Sequence, residues 1–150
     1  MRLPRLLAAL PVIAALLAPL RPARADEGAT VVVELTGFRN DTGRVMVLLY
    51  GSEDGFMRDQ KKALARALSP IRGGTARVEL RGVPPGLRAI SCFHDENDNG
   101  DLDTNWLGIP REGVGASNNA KGRLGPPKWK DARFEVTAPV TEHHIKISYL

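Results

Sequence analysis

In several stretches of the chain apolar and polar positions alternate with a period of two or β-branched and apolar residues cluster, which predicts strands rather than helices. Residues 30–35, Thr-Val-Val-Val-Glu-Leu, and residues 43–50 are dense in β-branched and apolar side chains. Between them Asn40-Asp41-Thr42-Gly43 supplies residues that tolerate positive φ, so the two strands are expected to pair as a hairpin. In residues 75–81, Ala76, Val78 and Leu80 alternate with Thr75, Arg77, Glu79 and Arg81, which predicts one buried and one wet face. Val83-Pro84-Pro85-Gly86 reads as a turn. Residues 87–94 place Leu87, Ala89, Ser91 and Phe93 on one face and Arg88, Ile90, Cys92 and His94 on the other, as an interior strand with a wet end would. Residues 132–136 and 143–149 complete the set, the latter with Ile145, Ile147 and Tyr149 alternating with Lys146 and Ser148.

One segment changes period. Phe56, Gln60, Ala63, Leu64, Ala67 and Leu68 fall at the spacings of one helical face, Ser52, Glu53 and Asp54 precede it as a cap, and Pro70 follows. A short helix is expected there, with Arg58, Lys61, Lys62 and Arg66 forming a solvated face. From Asp95 to about Asp131 neither period is sustained and Gly, Asn, Pro and charged residues dominate. Loops of that length are uncommon in compact domains unless they serve a function. About seven short strands with one short helix predict an all-β, antiparallel β-sandwich.

The first 25 residues break the pattern differently. Arg2 and Arg5, an apolar run over residues 6–20 and a small-residue exit at Ala23-Arg24-Ala25 read as a secretory signal peptide cleaved after Ala25. The run holds Pro11 and Pro19 and is shorter than the roughly 20 residues of a membrane-spanning helix. The chain therefore divides into a leader, 1–25, and a single domain, 26–150, expected to be periplasmic or secreted and to have no stable membrane insertion after cleavage.

Charge follows from that division. The 150 residues carry a formal charge of +4, but four of the 21 basic residues precede the first acidic one, Asp26, so the remainder balances 17 basic against 17 acidic side chains. A neutral domain lacks the concentrated basic face that binds nucleic acid, and no nucleic-acid partner is expected. Cys92 is the single cysteine, so no internal disulfide holds the fold in a compartment that would permit one.

The run Asp95-Glu96-Asn97-Asp98-Asn99-Gly100-Asp101-Leu102-Asp103 carries oxygen-bearing side chains at alternate positions and a glycine at the sixth. A hard cation such as Ca²⁺ takes six to eight oxygens, so a short loop holding one must turn sharply while aiming several carboxylates and amides inward. Asp95, Asn97, Asn99 and Asp103 are the side-chain candidates, Asp101 would offer its backbone carbonyl, and Leu102 would anchor the loop to the core. The position where a closing bidentate Glu is usual is Trp106, so Glu112 or Asp131 would have to substitute from further along. The absence of that ligand in the linear motif predicts a weak structural site, on the order of 10⁻⁴ to 10⁻³ M.

Other residues carry weaker chemistry. Cys92 and His94 share a strand face, and His143 or His144 would complete a transition-metal site if the last strand brought them near; a buried structural cysteine is the plainer reading. The crowded carboxylates would serve a small metal-assisted hydrolase or lyase, although no nucleophile elbow or zinc-protease motif accompanies them. Trp106 and Trp129 flank the long loop, and with Asn118 and Asn119 they are candidates to stack on or read a ligand. The reading preferred over these is a non-enzymatic exported module, stabilised by calcium, that offers Trp106, Trp129 and the nearby amides to an envelope or extracellular partner, whether protein, peptide or carbohydrate.

Val83-Pro84-Pro85-Gly86, the run from Cys92 to Asp103, Gly108-Ile109-Pro110-Arg111-Glu112-Gly113, Ser117-Asn118-Asn119-Ala120 and Gly125-Pro126-Pro127 together resemble the bacterial domain-of-unknown-function family 2141. The similarity spans residues 32–148, with 93–127 as its specific part. It implies a small exported protein with a prealbumin-like or related Ig-like sandwich and leaves the biochemical function open. Cys92 stands where the family pattern more often has a small apolar residue, which argues against a catalytic thiol.

Overall fold

The computed structural model describes residues 28–150; the signal peptide expected over 1–25 lies outside them. The described chain runs β1 (Ala29–Thr36), β2 (Arg44–Tyr50), β3 (Ala65–Pro70), β4 (Thr75–Val83), β5 (Gly86–Asp95), β6 (Val114–Ala116), α1 (Trp129–Ala132), β7 (Phe134–Val136) and β8 (Val140–Lys146). Two sheets face each other, one ordered β4-β1-β8 and the other β3-β2-β5-β6, with β7 added to the Gly86 end of β5. This is the expected all-β sandwich, with eight strands instead of about seven and with one parallel pair, β1 with β8, among otherwise antiparallel neighbours.

Alternation sets the inner layer. Val31, Val33 and Leu35 of β1, Val78 and Leu80 of β4 and Ile145 of β8 meet Val45, Val47 and Leu49 of β2 and Ile90 and Cys92 of β5. β2 has no polar face because it is covered twice. Its other side, Met46, Leu48 and Tyr50, joins Ala89 and Phe93 under a second apolar layer formed by Phe56, Ala116, Ala132 and the partly buried Trp129. A strand buried on both faces reads as a continuous apolar run, which is what residues 45–50 are. Each large aliphatic side chain withdrawn into these layers contributes about 1.5–3 kcal/mol.

Three expectations need correction. β1 and β2 are not a hairpin, since β1 pairs with β4 and β8 while β2 pairs with β3 and β5. The turn residues between them serve a crossing between sheets: Asn40 Oδ1 accepts from the Thr42 N–H, and the Asp41 carboxylate accepts from the N–H groups of Gly73 and Gly74 in the β3–β4 turn. Next, residues 56–68 form no α-helix. Positive φ at Gly55 and Met57 interrupts the segment, a single 3₁₀ turn covers Gln60–Lys62, and Ala65–Pro70 pairs with β2 along its length. Pairing of β2's open edge outweighs a helical spacing over so few residues. Finally, the stretch from Asp95 to Asp131 is not one irregular loop, because it contains β6, a 3₁₀ turn at Ser117–Asn119 and the start of α1, the α-helix of the described residues.

Cys92 lies 2% exposed in the inner layer, and burial pushes its thiol far above the ordinary cysteine range. A thiol reagent at pH 8 is expected to leave the native protein unmodified and to titrate one equivalent after denaturation; rapid native labelling would contradict this placement.

Candidate metal centre

β5 ends at Asp95, which is 1% exposed and pairs across to Arg44 at the start of β2. The fit there is tight, since a Cβ on Gly43 (φ +68°) would collide with the Asp95 carbonyl oxygen. From this fixed point the chain doubles back. Asp95 Oδ1 accepts the N–H of Asn99 at 3.0 Å and Oδ2 that of Gly100 at 2.8 Å, with Gly100 in the left-handed region at φ +82°. Asn97 Oδ1 accepts from the Asn99 N–H at 3.2 Å, and Asn99 Oδ1 from the Asp101 N–H at 2.8 Å.

The alternate side chains converge on Asp103. Its Oδ2 accepts from Asn97 Nδ2 at 2.8 Å and its Oδ1 from Asn99 Nδ2 at 2.9 Å. Behind the loop stands Glu112, 5% exposed, whose Oε1 accepts the N–H of Glu96 at 2.9 Å and Oε2 that of Asp103 at 3.0 Å. One carboxylate thus ties the loop's second residue to its ninth, and Leu102 packs into the outer apolar layer. Asp131 stands elsewhere, on α1, where its carbonyl accepts from Asn118. Among the described residues no three His, Cys, Asp or Glu side chains form a metal-holding group. The groups facing Asp103 are amides, so the set around it is a mixed carboxylate–amide one.

Arginines answer part of the charge. Arg44 Nε meets Asp98 at 2.7 Å, and Arg39 makes a two-pronged pair with Glu96 at 2.7 and 3.0 Å, holding the Glu96 carboxyl below the usual range. A carboxyl lowered in the folded state stabilises above its unfolded pKa, and that contribution disappears as pH falls through the folded value. Glu96→Gln is therefore expected to lower Tm slightly at pH 7 and not at all at acidic pH where Glu96 is protonated; a difference that persists in acid would contradict the assignment.

Beside the loop is a cluster the sequence did not announce. His94 is fully buried, its Nε2 donates to the Thr42 carbonyl at 2.6 Å, and its Nδ1 accepts from the Tyr149 hydroxyl at 2.7 Å. The Thr42 carbonyl can only accept, which fixes the tautomer. The Arg39 N–H donates to the same hydroxyl at 3.1 Å and its guanidinium lies 4.6 Å from the Tyr149 ring. Both His94 nitrogens are engaged, His143 packs on Phe134 at 3.8 Å between ring centres, and His144 pairs with Glu34 at 3.2 Å. The structure does not bring these histidines together with Cys92.

The remaining candidates separate. Trp129 packs edge-to-face on Phe56 at 5.7 Å, whereas Trp106 is 89% exposed. Asn118 donates to the carbonyls of Asp131 and Arg133, and Asn119 bridges the His144 carbonyl and the Lys146 N–H, so both amides stitch the chain to α1 and β8. Ser117, which spacing gave no reason to single out, is fully buried, accepts from the Ile90 N–H at 2.9 Å and donates to the Ala132 carbonyl at 2.6 Å.

Comparison with protein families bears on this arrangement directly. The family described as "Uncharacterized protein conserved in bacteria (DUF2141)" matches residues 33–144, which include the acidic loop, Glu112 and Ser117. The chain belongs to this family. The match begins within β1 and ends within β8, and it takes in the whole of the loop that Glu112 closes. No curated protein and no solved structure matches the chain. Among the described residues no helix is long and apolar enough to cross a membrane.

Proposed function

We propose that this DUF2141 protein is an exported, non-enzymatic sandwich module whose acidic loop is organised by Ca²⁺ and displays its outermost turn to an envelope partner. The observation that carries the reading is the convergence of Asp95, Asn97, Asn99 and Asp103 in one loop, with the buried Glu112 carboxylate tying its two ends together.

The donor set fits a hard cation. All its side-chain donors are oxygens, and a carboxylate oxygen that accepts one N–H retains a second lone pair. The Asn97 and Asn99 amides donate to Asp103. A cation beside Asp103 would take over that charge, and a rotation about each amide's terminal torsion would turn the oxygen toward it in place of the NH₂ group. The loop's net negative charge is then neutralised, while the hydrogen bonds that Asn97 Oδ1 and Asn99 Oδ1 accept from the Asn99 and Asp101 N–H groups are given up to the cation. Because both Glu112 oxygens already accept backbone N–H groups, the affinity stays in the weak range expected for the linear motif.

At tenfold excess over its dissociation constant, calcium stabilises the fold by about 1.4 kcal/mol, or about 5 °C in Tm for a domain of this size. A thermal melt in millimolar calcium against chelator reads this directly, and Asp103→Ala abolishes the shift. An unchanged melt overturns the reading.

A further inference from the structure

We infer that the turn at the end of the acidic loop is a self-association tip, and that its receptor is a basic, aromatic-floored groove on a second copy of this chain. This names the partner for the displayed turn. It rests on the reading that the loop serves to display that turn, and the acidic collar it uses is that of the cation-free loop.

The tip is built to stay out in water. Asn105 Oδ1 accepts the N–H groups of Leu107 and Ile109 at 2.9 and 3.0 Å, the Asn105 N–H donates to the Ile109 carbonyl at 2.8 Å, and the Gly108 N–H returns to the Asn105 carbonyl at 2.9 Å. These bonds hold Trp106, Leu107 and Ile109 at 89%, 60% and 43% exposure. No charged residue lies between Asn105 and Pro110, whereas the stem below carries Asp101 and Asp103 against Arg111, Asp98 being paired with Arg44. A rigid apolar knob on an acidic collar loses little conformational entropy on docking and selects a receptor that is apolar at its floor and basic at its rim.

The same chain carries such a receptor. A groove of about 1200 Å³ has Phe56 and Trp129 among its lining and Lys121, Arg123, Lys128 and Lys130 along one wall. On the facing wall Asp54 is held by Lys62 at 2.7 Å; with Glu53, Asp59 and Asp131 the lining carries four carboxylates against six cations, Arg58 and Lys62 included, so the groove keeps a net positive charge. The wall is shaped by Gly122, where a Cβ would collide with the Gly125 carbonyl, and it leaves Leu124 fully exposed at the rim.

Within one molecule tip and groove do not meet. The tip follows the Asp95 end of β5, the facing wall follows the Tyr50 end of β2, which pairs with Ala89 of β5, and no tip residue lines the groove. Docking is therefore head to tail between copies. Two tips would bring like-charged collars together, whereas tip into groove pairs acid with base. Such a heterologous contact leaves one tip and one groove free in every dimer and extends into short chains. Three side chains bury less than the roughly 1,000 Å² of a stable interface, so the association is weak, with Kd on the order of 0.1–1 mM.

Sedimentation velocity in chelator, with the protein between about 10 µM and about 1 mM, tests this independently of calcium. The weight-average mass is expected to rise by about half or more over that range, to fall back in high salt, and to stay monomeric for Trp106→Ala and for Arg123→Glu/Lys128→Glu. Mixing the two variants restores association only as far as dimer, because one retains its groove and the other its tip. A monomer at all concentrations, association unaffected by Trp106→Ala, or no complementation in the mixture would each overturn the proposal. A monomer whose Trp106 fluorescence shifts to the blue on phosphatidylcholine vesicles would overturn it in favour of a lipid interface. These outcomes stand apart from the calcium melt, which tests the loop's cation alone.

Discussion

Replacing Glu112 by alanine is expected to destabilise the protein by about 3 kcal/mol or more and to abolish stabilisation by calcium. The side chain is 5% exposed and its two oxygens accept the backbone N–H groups of Glu96 and Asp103, at 2.9 and 3.0 Å. A hydrogen bond to a charged acceptor is worth about 1.5–3 kcal/mol, and alanine removes two while leaving both donors without a partner. For a domain of this size the loss corresponds to a fall in Tm of about 12 °C. Glu112→Gln keeps one acceptor oxygen and should lie about midway. Chemical denaturation of the three proteins measures the order, and equal stability of wild type and Glu112→Ala would show that the loop closes without this carboxylate.

Ser117→Ala is expected to cost about 2–4 kcal/mol, a large effect for the loss of one oxygen atom. The hydroxyl sits fully buried between β5 and α1, accepting from the Ile90 N–H and donating to the Ala132 carbonyl. The site is fully buried, so a donor and an acceptor are orphaned together, each at about 1–3 kcal/mol. The change also frees the end of α1 from the sheet and with it Trp129, whose packing on Phe56 closes the outer apolar layer. Trp129 fluorescence should shift toward that of a solvated indole before global unfolding. A substitution with no effect on the denaturation midpoint would contradict the bridging role.

The features that survived from sequence to structure are those set by short-range pattern. The apolar run of β2 and the alternation in β4 reflect which faces are covered, and the residues themselves record that, whereas the last strand, expected over 143–149, lies at Val140–Lys146. The oxygen spacing of residues 95–103 reads as a loop that turns back on itself to hold a cation; the turn is there, made by hydrogen bonds inside nine residues. What local pattern does not encode is partner choice. Asn40-Asp41-Thr42-Gly43 has hairpin chemistry, yet Asp41 spends it on Gly73 and Gly74, more than thirty residues away. Residues 56–68 have a helical spacing, but an open edge on β2 recruits Ala65–Pro70 as a strand. Glu112 was legible only as one substitute for a missing ligand. The Ser117 bridge and the His94–Tyr149 bond, spanning 55 residues, left no local trace.

The central claim is that a divalent cation displaces the two amides now hydrogen-bonded to Asp103. Calcium titration followed by NMR of the side-chain NH₂ groups of Asn97 and Asn99 addresses it most directly. Both pairs of resonances are expected to shift together and saturate in the millimolar range, with Asp103→Ala removing the response. Resonances that stay in place through about 10 mM calcium would mean that the loop keeps its own hydrogen bonds and holds no ion.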